Sequence, residues 1–121
     1  MRYMLLCYDD EQAWQRVGQP VHRAAMQEAV QLTHELHEKG QYLLASPLQP
    51  TSTAASVRVQ DGKPVVTDGP FVETREVLGG FYLIEANSLD DAIEIAARHP
   101  GNRFGGVEVR PLLEIDGLPQ P

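Results

Sequence analysis

Residues 81–101, FYLIEANSLDDAIEIAARHPG, contain a strand followed by a helix, and this unit decides the fold class. The first six residues place apolar side chains on both strand faces, which predicts a buried strand. Ser88 stands where its hydroxyl can cap a helix, and Asp91 three residues later completes a variant of the capping box. Pro100-Gly101 ends the helix. The expected buried stripe is Leu89, Ala92, Ile93 and Ala96.

A similar unit opens the chain. Residues 2–8 predict a strand that is apolar on both faces, and a polar loop holding Trp14 is expected over 9–20. A helix is predicted over 21–39, with Gly40 just past its end. A short strand follows over 41–46. The helix has apolar residues at helical spacing on its buried side: Ala25, Ala29, Leu32 and Leu36.

Residues 56–68, SVRVQDGKPVVTD, carry the strongest local signal. Asp61-Gly62 between alternating strands predicts a two-residue hairpin turn, because both turn positions need positive φ. The register opposes Val57 with Val66 and places Asp68 on the same face as the valines, which we expect to be covered. Pro64 indicates that the hairpin lies at a sheet edge.

With a last strand over 106–115, the element order is β-α-β, hairpin, β-α-β. This order predicts an α+β, ferredoxin-like sandwich with an antiparallel sheet and two helices on one face. Two helices cover only one sheet face, yet the strands at 2–8 and 81–86 are apolar on both faces. A homodimer whose sheets meet face to face would cover the second face.

Composition limits the classes of function. The 121 residues make one domain, 1–121, with a formal net charge of -7 and scattered basic residues, which disfavours nucleic acid and anionic membranes as partners. No apolar run approaches the ~18 residues of a membrane span. The start of the chain does not resemble a signal peptide, so a cytoplasmic protein is expected. Cys7 is the single cysteine, which excludes an internal disulfide.

The run VTDGPFVETREVLGGFYLIEANSLDDAIEIAARHPG, together with VEVRPLLEI near the end of the chain, resembles the DGPF proteins, a branch of the YCII-related family. The resemblance covers nearly the whole chain. It implies a ferredoxin-like fold that dimerises as an α/β barrel in bacteria. It also implies a functional link to an extracytoplasmic-function sigma factor, because members of the branch often sit beside the genes for such factors.

The resemblance also implies an enzyme with a His-Asp pair in a cleft, the His from the first helix and the Asp just before a Pro at the end of the second. This sequence departs from that pattern at both positions. The histidine position falls near Ala29, and His99 precedes Pro100 where Asp is the family residue. Any acid/base site here must use other residues.

Attention therefore moves to the loop in 68–80, DGPFVETREVLGG. Asp68 is the first catalytic candidate, since a carboxylate near apolar groups can have a raised pKa; the alternative is an Asx turn before Gly69-Pro70. His99 is its candidate partner, with stabilisation of the helix end as the alternative. The candidate ligand-binding residues are Phe71, Glu73, Arg75, Arg58 and Arg110, which could bind a polar or anionic molecule or remain solvated.

The remaining features do not indicate a catalytic, metal or cofactor site. Gly79-Gly80 precedes a strand, which favours close backbone packing or a bulge. His34 and His37 lack a third ligand, so no metal is expected, and no fingerprint of a cofactor site is present. The leading hypothesis is a dimer with a ligand pocket near Asp68-Gly69-Pro70-Phe71 that acts as a cofactor-free acid/base enzyme on a small polar molecule. The alternative is a non-catalytic binding or regulatory module linked to a sigma factor.

Overall fold

The structure, a computed structural model, describes residues 1–120. Four antiparallel strands form the main sheet in the order β2-β5-β1-β6, and β3 and β4 form a separate two-stranded sheet. In chain order the elements are β1 Arg2–Asp9, α1 Glu11–Val17, α2 Gln19–Glu38, β2 Tyr42–Pro47, β3 Ala55–Gln60, β4 Lys63–Asp68, β5 Val77–Glu85, α3 Leu89–Ala97 and β6 Gly105–Pro111. Short 3₁₀ turns lie at Thr51–Thr53 and Pro100–Arg103.

The predicted α+β, ferredoxin-like architecture is confirmed. β1 and β5 bury alternate residues, and α2 and α3 pack on that same face of the sheet. The core cluster consists of Tyr3, Leu5, Cys7, Leu32, Leu36, Tyr82, Ile84, Ala86, Ala92, Ile95 and Ala96. None of the helices in residues 1–120 is both long and apolar enough to cross a membrane.

The start of the second unit follows the prediction, but its buried stripe does not. The Ser88 hydroxyl accepts a hydrogen bond from the Asp91 N–H at 3.1 Å, which confirms the N-cap. The buried residues of α3 are Ala92, Ile95 and Ala96, whereas Leu89 and Ile93 are exposed. The prediction that Leu89 and Ile93 are buried was wrong, because α3 is short and only a narrow stripe of it faces the sheet.

The prediction of a polar loop over 9–20 was wrong, because α1 and the first residues of α2 lie there. The buried Asp10 caps α1 and accepts hydrogen bonds from the N–H groups of Gln12 at 2.9 Å and Ala13 at 3.4 Å. The chain then turns at Gly18, whose φ of 84° suits glycine. A helix with no buried residue is one that hydrophobic periodicity cannot find.

The hairpin has the predicted register, with Val57 opposite Val66, and both turn residues, Asp61 and Gly62, have positive φ. It does not join the edge of the main sheet, contrary to expectation, and its valines are exposed in the single chain. The last strand also ends earlier than predicted, at Pro111, a residue without an N–H to continue the ladder.

Gly79 is the extra residue of a bulge, as the double glycine predicted. Cys7 pairs with Gly80 and Tyr8 pairs with Leu78, so that Gly79 has no partner in the register between β1 and β5. A Cβ on Gly79 would lie 2.7 Å from Oδ1 of Asp9, the last residue of β1. The bulge therefore leaves room for the Asp9 carboxyl beside the sheet.

Candidate functional site

A cavity of about 830 Å³ lies between α2 and the sheet. This volume is within the range of small-molecule sites. α1, the segment 46–50 and the turn at 99–101 complete its walls. Small residues line it on both sides, with Ala25 and Ala29 on α2 and Gly79 and Gly80 on β5. A flat ligand could lie between these two walls.

Asp9 is one of two acidic residues that line the cavity, the other being Glu11. One of its carboxylate oxygens, Oδ2, accepts a hydrogen bond of 2.7 Å from the indole N–H of Trp14. Burial raises the pKa of the Asp9 carboxyl, and the nearby charges of Glu11 and Asp10 act in the same direction, while the Trp14 hydrogen bond and the charge of His22 oppose the rise. The group is therefore biased toward its neutral form, which suits it to proton transfer.

Trp14 connects Asp9 to His22. The indole ring meets the His22 ring edge-on at a centroid distance of 5.1 Å, and it packs against Phe104 at 4.6 Å. His22 is on α2, whereas Trp14 is on α1, so two helices and β1 bring one carboxyl and one imidazole to a single indole. Asp9, Trp14 and His22 all line the cavity.

A second polar pair lies on the wall formed by β5 and the turn after α3. The Tyr82 hydroxyl and Nδ1 of His99 are 2.8 Å apart. Burial lowers the pKa of the His99 imidazole and raises the pKa of the Tyr82 phenol. Cys7 lies on β1 between the position that pairs with Tyr82 and Asp9. Burial raises the pKa of its thiol to about 12, which makes it an inert part of the cavity wall.

The structure does not bring Asp68 and His99 into one cavity. His99 lines the cavity, whereas Asp68 does not and is exposed at the end of β4. The expectation that Asp68 points into a covered face is not met in the single chain, because the hairpin stands apart from the helices. No side-chain hydrogen bond of an Asx turn forms at Asp68 among the described residues.

The predicted ligand-binding residues are also outside the cavity. The Arg58 guanidinium lies over the ring of Phe71 at 4.4 Å, an interaction that fixes the loop to the hairpin. Arg110 forms an ion pair with Glu108 on β6. Glu73 and Arg75 line a smaller depression of about 470 Å³. None of the five predicted ligand-binding residues therefore lines the cavity between α2 and the sheet.

Arg75 gives the loop a role in supporting the cavity. Its Nε donates to Oδ2 of Asp10 at 3.0 Å, the same side chain that caps α1. At the next position, the carboxylate of Glu11 accepts from the Thr51 N–H at 3.1 Å. The loop and the segment after β2 are thus both tied to the helix that carries Trp14.

Sequence reasoning missed Asp9, Trp14 and His22. Strand parity could have found Asp9, because it continues the series Tyr3, Leu5, Cys7 on the covered face. The predicted strand stopped at residue 8, so this residue was assigned to a loop. Nothing in the sequence brings Trp14 next to His22, because that contact depends on how α1 folds against α2.

Comparison with known proteins agrees with this architecture. A chain of the 5-chloro-2-hydroxyhydroquinone dehydrochlorinase from Burkholderia phenoliruptrix, solved in complex with 2,5-dihydroxybenzoquinone, superposes with a TM-score of 0.55 at 14% identity, over 93% of this chain and 94% of that one. At this identity the likeness concerns the fold.

Sequence comparison gives the family. An uncharacterized protein of Rhizobium meliloti (strain 1021) is 37% identical over 114 residues, which are 93% of this chain and 92% of the relative. The model of the YCII-related domain matches residues 1–116. The chain therefore belongs to the YCII-related family.

Proposed function

We propose that this protein binds a small, flat molecule in the cavity between α2 and the sheet and acts on it as a cofactor-free acid/base enzyme, with Asp9 as the proton-transferring group. The observation that carries the proposal is the half-buried Asp9 carboxyl, held by the Trp14 indole inside a cavity of about 830 Å³. Asp9 takes the catalytic place that Asp68 was expected to fill.

The chemistry follows from the surroundings of the carboxyl. A carboxylate with a raised pKa is a stronger base than one in water, and a bound ligand would displace the water that competes for the proton. The hydrogen bond from Trp14 fixes one oxygen and leaves the other, beside Gly79, open to the ligand. His22, on the same indole, can stabilise the carboxylate when it forms.

The ligand class is that of a neutral or weakly polar ring compound. Asp9 and Glu11 line the cavity, and neither Lys nor Arg does among the residues that the structure describes. An anionic ligand would therefore meet like charge without a counter-ion. The fold neighbour is solved with a quinone, which is a ring compound. This supports a ring compound as the class of ligand but does not identify the ligand.

A chromogenic proton-transfer reaction tests Asp9. The neutral probe 5-nitro-1,2-benzisoxazole loses its ring C–H proton to a base and opens to a coloured phenolate. The wild-type chain should accelerate this reaction, and Asp9→Asn, which keeps an oxygen for Trp14, should lower kcat by about 10²-fold or more while changing KM little. The rate should rise with pH around a midpoint above the ordinary aspartate pKa of 3.8, because only the carboxylate accepts a proton.

Asp116→Asn, at an exposed position, is the matched control and should keep the wild-type rate. Equal rates for wild type and Asp9→Asn would contradict the enzymatic proposal. Binding of the probe without acceleration would instead support the non-catalytic binding module. The exposed apolar surface of the hairpin, which includes Val57, Val59 and Val66, is the observation that favours a partner for such a module.

The proposal includes a homodimer. The sheet face opposite the helices is apolar and half-buried in the single chain, with Met4 and Leu6 on β1 beside Phe81 and Leu83 on β5. A second copy meeting this face would cover it and would close the barrel that the resemblance to the DGPF branch implies. A link to a sigma factor is part of the same proposal, as a regulatory context for the binding protein.

A further inference from the structure

The pair Tyr82–His99 fixes the state of an imidazole on the cavity wall. The two rings meet edge-on, with centroids 5.4 Å apart, and the phenol oxygen lies 2.8 Å from Nδ1. Tyr82 is anchored on β5 in the core and is 4% exposed. The main-chain N–H of His99 donates to the Ala96 carbonyl at 3.2 Å, which holds the residue against the end of α3.

The direction of the hydrogen bond follows from the two environments. Burial raises the pKa of the Tyr82 phenol, so the phenol keeps its proton. Among residues 1–120 the buried O–H has Nδ1 of His99 as its one hydrogen-bond partner, so the proton is satisfied when the phenol donates to Nδ1. Burial lowers the pKa of His99, so the imidazole is neutral near pH 7. A neutral imidazole that accepts at Nδ1 carries its proton on Nε2.

Nε2 itself is free and accessible. Nε2 makes no hydrogen bond to any residue in the range 1–120. Within that range every buried side-chain nitrogen or oxygen has a hydrogen-bond partner, so an atom without one is not buried. The atom must therefore reach open space. Gly101 leaves that space: a Cβ at this glycine would lie 2.4 Å from Nε2, and both residues line the cavity.

We propose that His99 is a neutral hydrogen-bond donor that binds a carbonyl oxygen of the ligand through Nε2–H, and that Tyr82 is the positioning residue that fixes this tautomer. The inference rests on the proposed function, because it concerns the same cavity. It adds that the ligand must carry a carbonyl group at the end that meets His99.

A carbonyl fits this end better than the other common acceptors. A carboxylate or phosphate would need a cation, and no Lys or Arg among the described residues lines the cavity. An uncharged acceptor paired with one N–H leaves no charge unbalanced in the apolar cleft. The second polar group of the ligand lies toward Asp9.

The separation of two backbone positions on β1 gives the scale of the ligand. Tyr82 pairs with Leu5, four residues before Asp9 on β1, which corresponds to about 13 Å of strand at ~3.3 Å per residue. A ring compound that carries a carbonyl at one end and a hydroxyl at the other can extend along this path. We infer this substrate class: elongated, uncharged hydroxy-ketones or hydroxy-aldehydes built on one or two rings.

Nitrogen NMR of the ¹⁵N-labelled full chain at pH 7 tests the tautomer. His99 should show a protonated Nε2 and an unprotonated Nδ1. Tyr82→Phe should give a mixture of tautomers, whereas Tyr3→Phe, a change at another buried tyrosine, should leave the His99 signals unchanged. An Nδ1–H tautomer, an imidazolium at pH 7, or identical signals in Tyr82→Phe would overturn the proposal.

A matched pair of probes tests the carbonyl. 6-Hydroxy-1-tetralone carries both groups, and 5,6,7,8-tetrahydro-2-naphthol is the same ring system without the carbonyl. The ketone should shift the Nε2–H resonance and bind about fivefold more tightly, the factor of one neutral hydrogen bond. The preference should vanish in His99→Leu and be partly restored in His99→Gln, which keeps an N–H donor.

Equal affinity for the two probes, or binding of neither, would overturn the carbonyl class. The tautomer measurement requires no turnover and no Asp9. If the benzisoxazole reaction were unaffected in Asp9→Asn while the Nε2–H tautomer and the preference for the ketone were present, the enzymatic function would fail and the binding site at His99 would stand. If Asp9→Asn slowed the benzisoxazole reaction while the Nε2–H tautomer and the preference for the ketone were absent, the role of Asp9 would stand and the binding site at His99 would fail.

Discussion

At the scale of single residues, the cavity depends on two ionisable groups that burial pushes toward their neutral forms. Burial raises the pKa of the Asp9 carboxyl and lowers the pKa of the His99 imidazole. Each group has one fixed partner, Trp14 for Asp9 and Tyr82 for His99, and one atom left open to the cavity. A ligand can therefore meet a proton acceptor and a hydrogen-bond donor that are both set in place before it binds.

His99 makes stability depend on pH in a defined direction. Because its pKa is lower in the folded chain than the ordinary 6.5, the unfolded chain binds more protons, and stability falls as pH falls below about 6.5. The denaturant midpoint of the wild type should drop more steeply from pH 7 to pH 5 than that of His99→Gln.

His34→Gln, a change at an exposed histidine of α2, is the control and should parallel the wild type. The measurement is a series of urea unfolding curves at fixed ionic strength. A pH dependence that His99→Gln leaves unaltered would contradict burial of the neutral imidazole. The carboxyl of Asp10, whose pKa Arg75 lowers, acts in the same direction but at more acidic pH.

At the scale of elements, the pairing of β1 with β6 is what brings the end of β1 to the cavity. Asp9 pairs with Gly105 and Tyr8 with Gly106, so two adjacent glycines lie opposite the residues before α1. They differ in what surrounds them. A Cβ at Gly105 would lie 1.8 Å from the Tyr8 carbonyl oxygen, whereas a Cβ at Gly106 would have no atom within 4 Å.

Gly105→Ala should therefore destabilise the fold by about 3 kcal/mol or more, since backbone must move to admit the methyl group. Gly106→Ala is the matched control and should change the free energy of unfolding by less than about 1 kcal/mol, because alanine costs the strand less entropy than glycine does. Denaturant midpoints measure both. Similar midpoints for the two variants would refute the close approach of β6 to β1.

Much of the fold could be predicted from the sequence because several of its elements are determined by short stretches of neighbouring residues. The turn at Asp61-Gly62 and the cap at Ser88 depend on neighbouring residues alone, and both were predicted correctly. α1 was missed because its largest apolar residue, Trp14, packs on His22 and Phe104 rather than forming part of a periodic stripe.

The site was predicted less well for a related reason. His99 could be selected because it follows α3 directly, at the position that the family resemblance indicates. Its partner Tyr82 is distant in sequence, and the hydrogen bond between them requires the packing of α3 on β5. Asp68 has the predicted strand parity, but parity does not tell whether any element covers that face of the hairpin.

At the scale of the whole molecule, one sheet face is covered by helices and the other is open. Along β1 the open face presents Met4, Leu6 and Tyr8, each only partly buried in the single chain. Leu44 on β2 extends this apolar surface and is 52% exposed. A surface of this kind is typical of an interface between subunits.

The chain should therefore have a mass in solution of about twice 13.4 kDa at micromolar concentration, measured by light scattering. Leu83→Glu places a charge at the centre of the open face and should give a single-chain mass. Gln31→Glu adds the same charge on the exposed side of α2 and should leave the mass unchanged. A wild-type mass equal to one chain would rule out the face-to-face dimer.

The contact of Trp14 with Asp9 has an optical consequence. Trp14 is the sole tryptophan of the sequence, so the ultraviolet emission of the protein at long wavelength comes from this one indole. Its N–H donates directly to the carboxyl for which we propose proton transfer, and its ring lines the cavity. The emission spectrum thus reports ionisation of Asp9 and arrival of a ligand without any attached dye, and each compound of a metabolite collection can be screened by that signal.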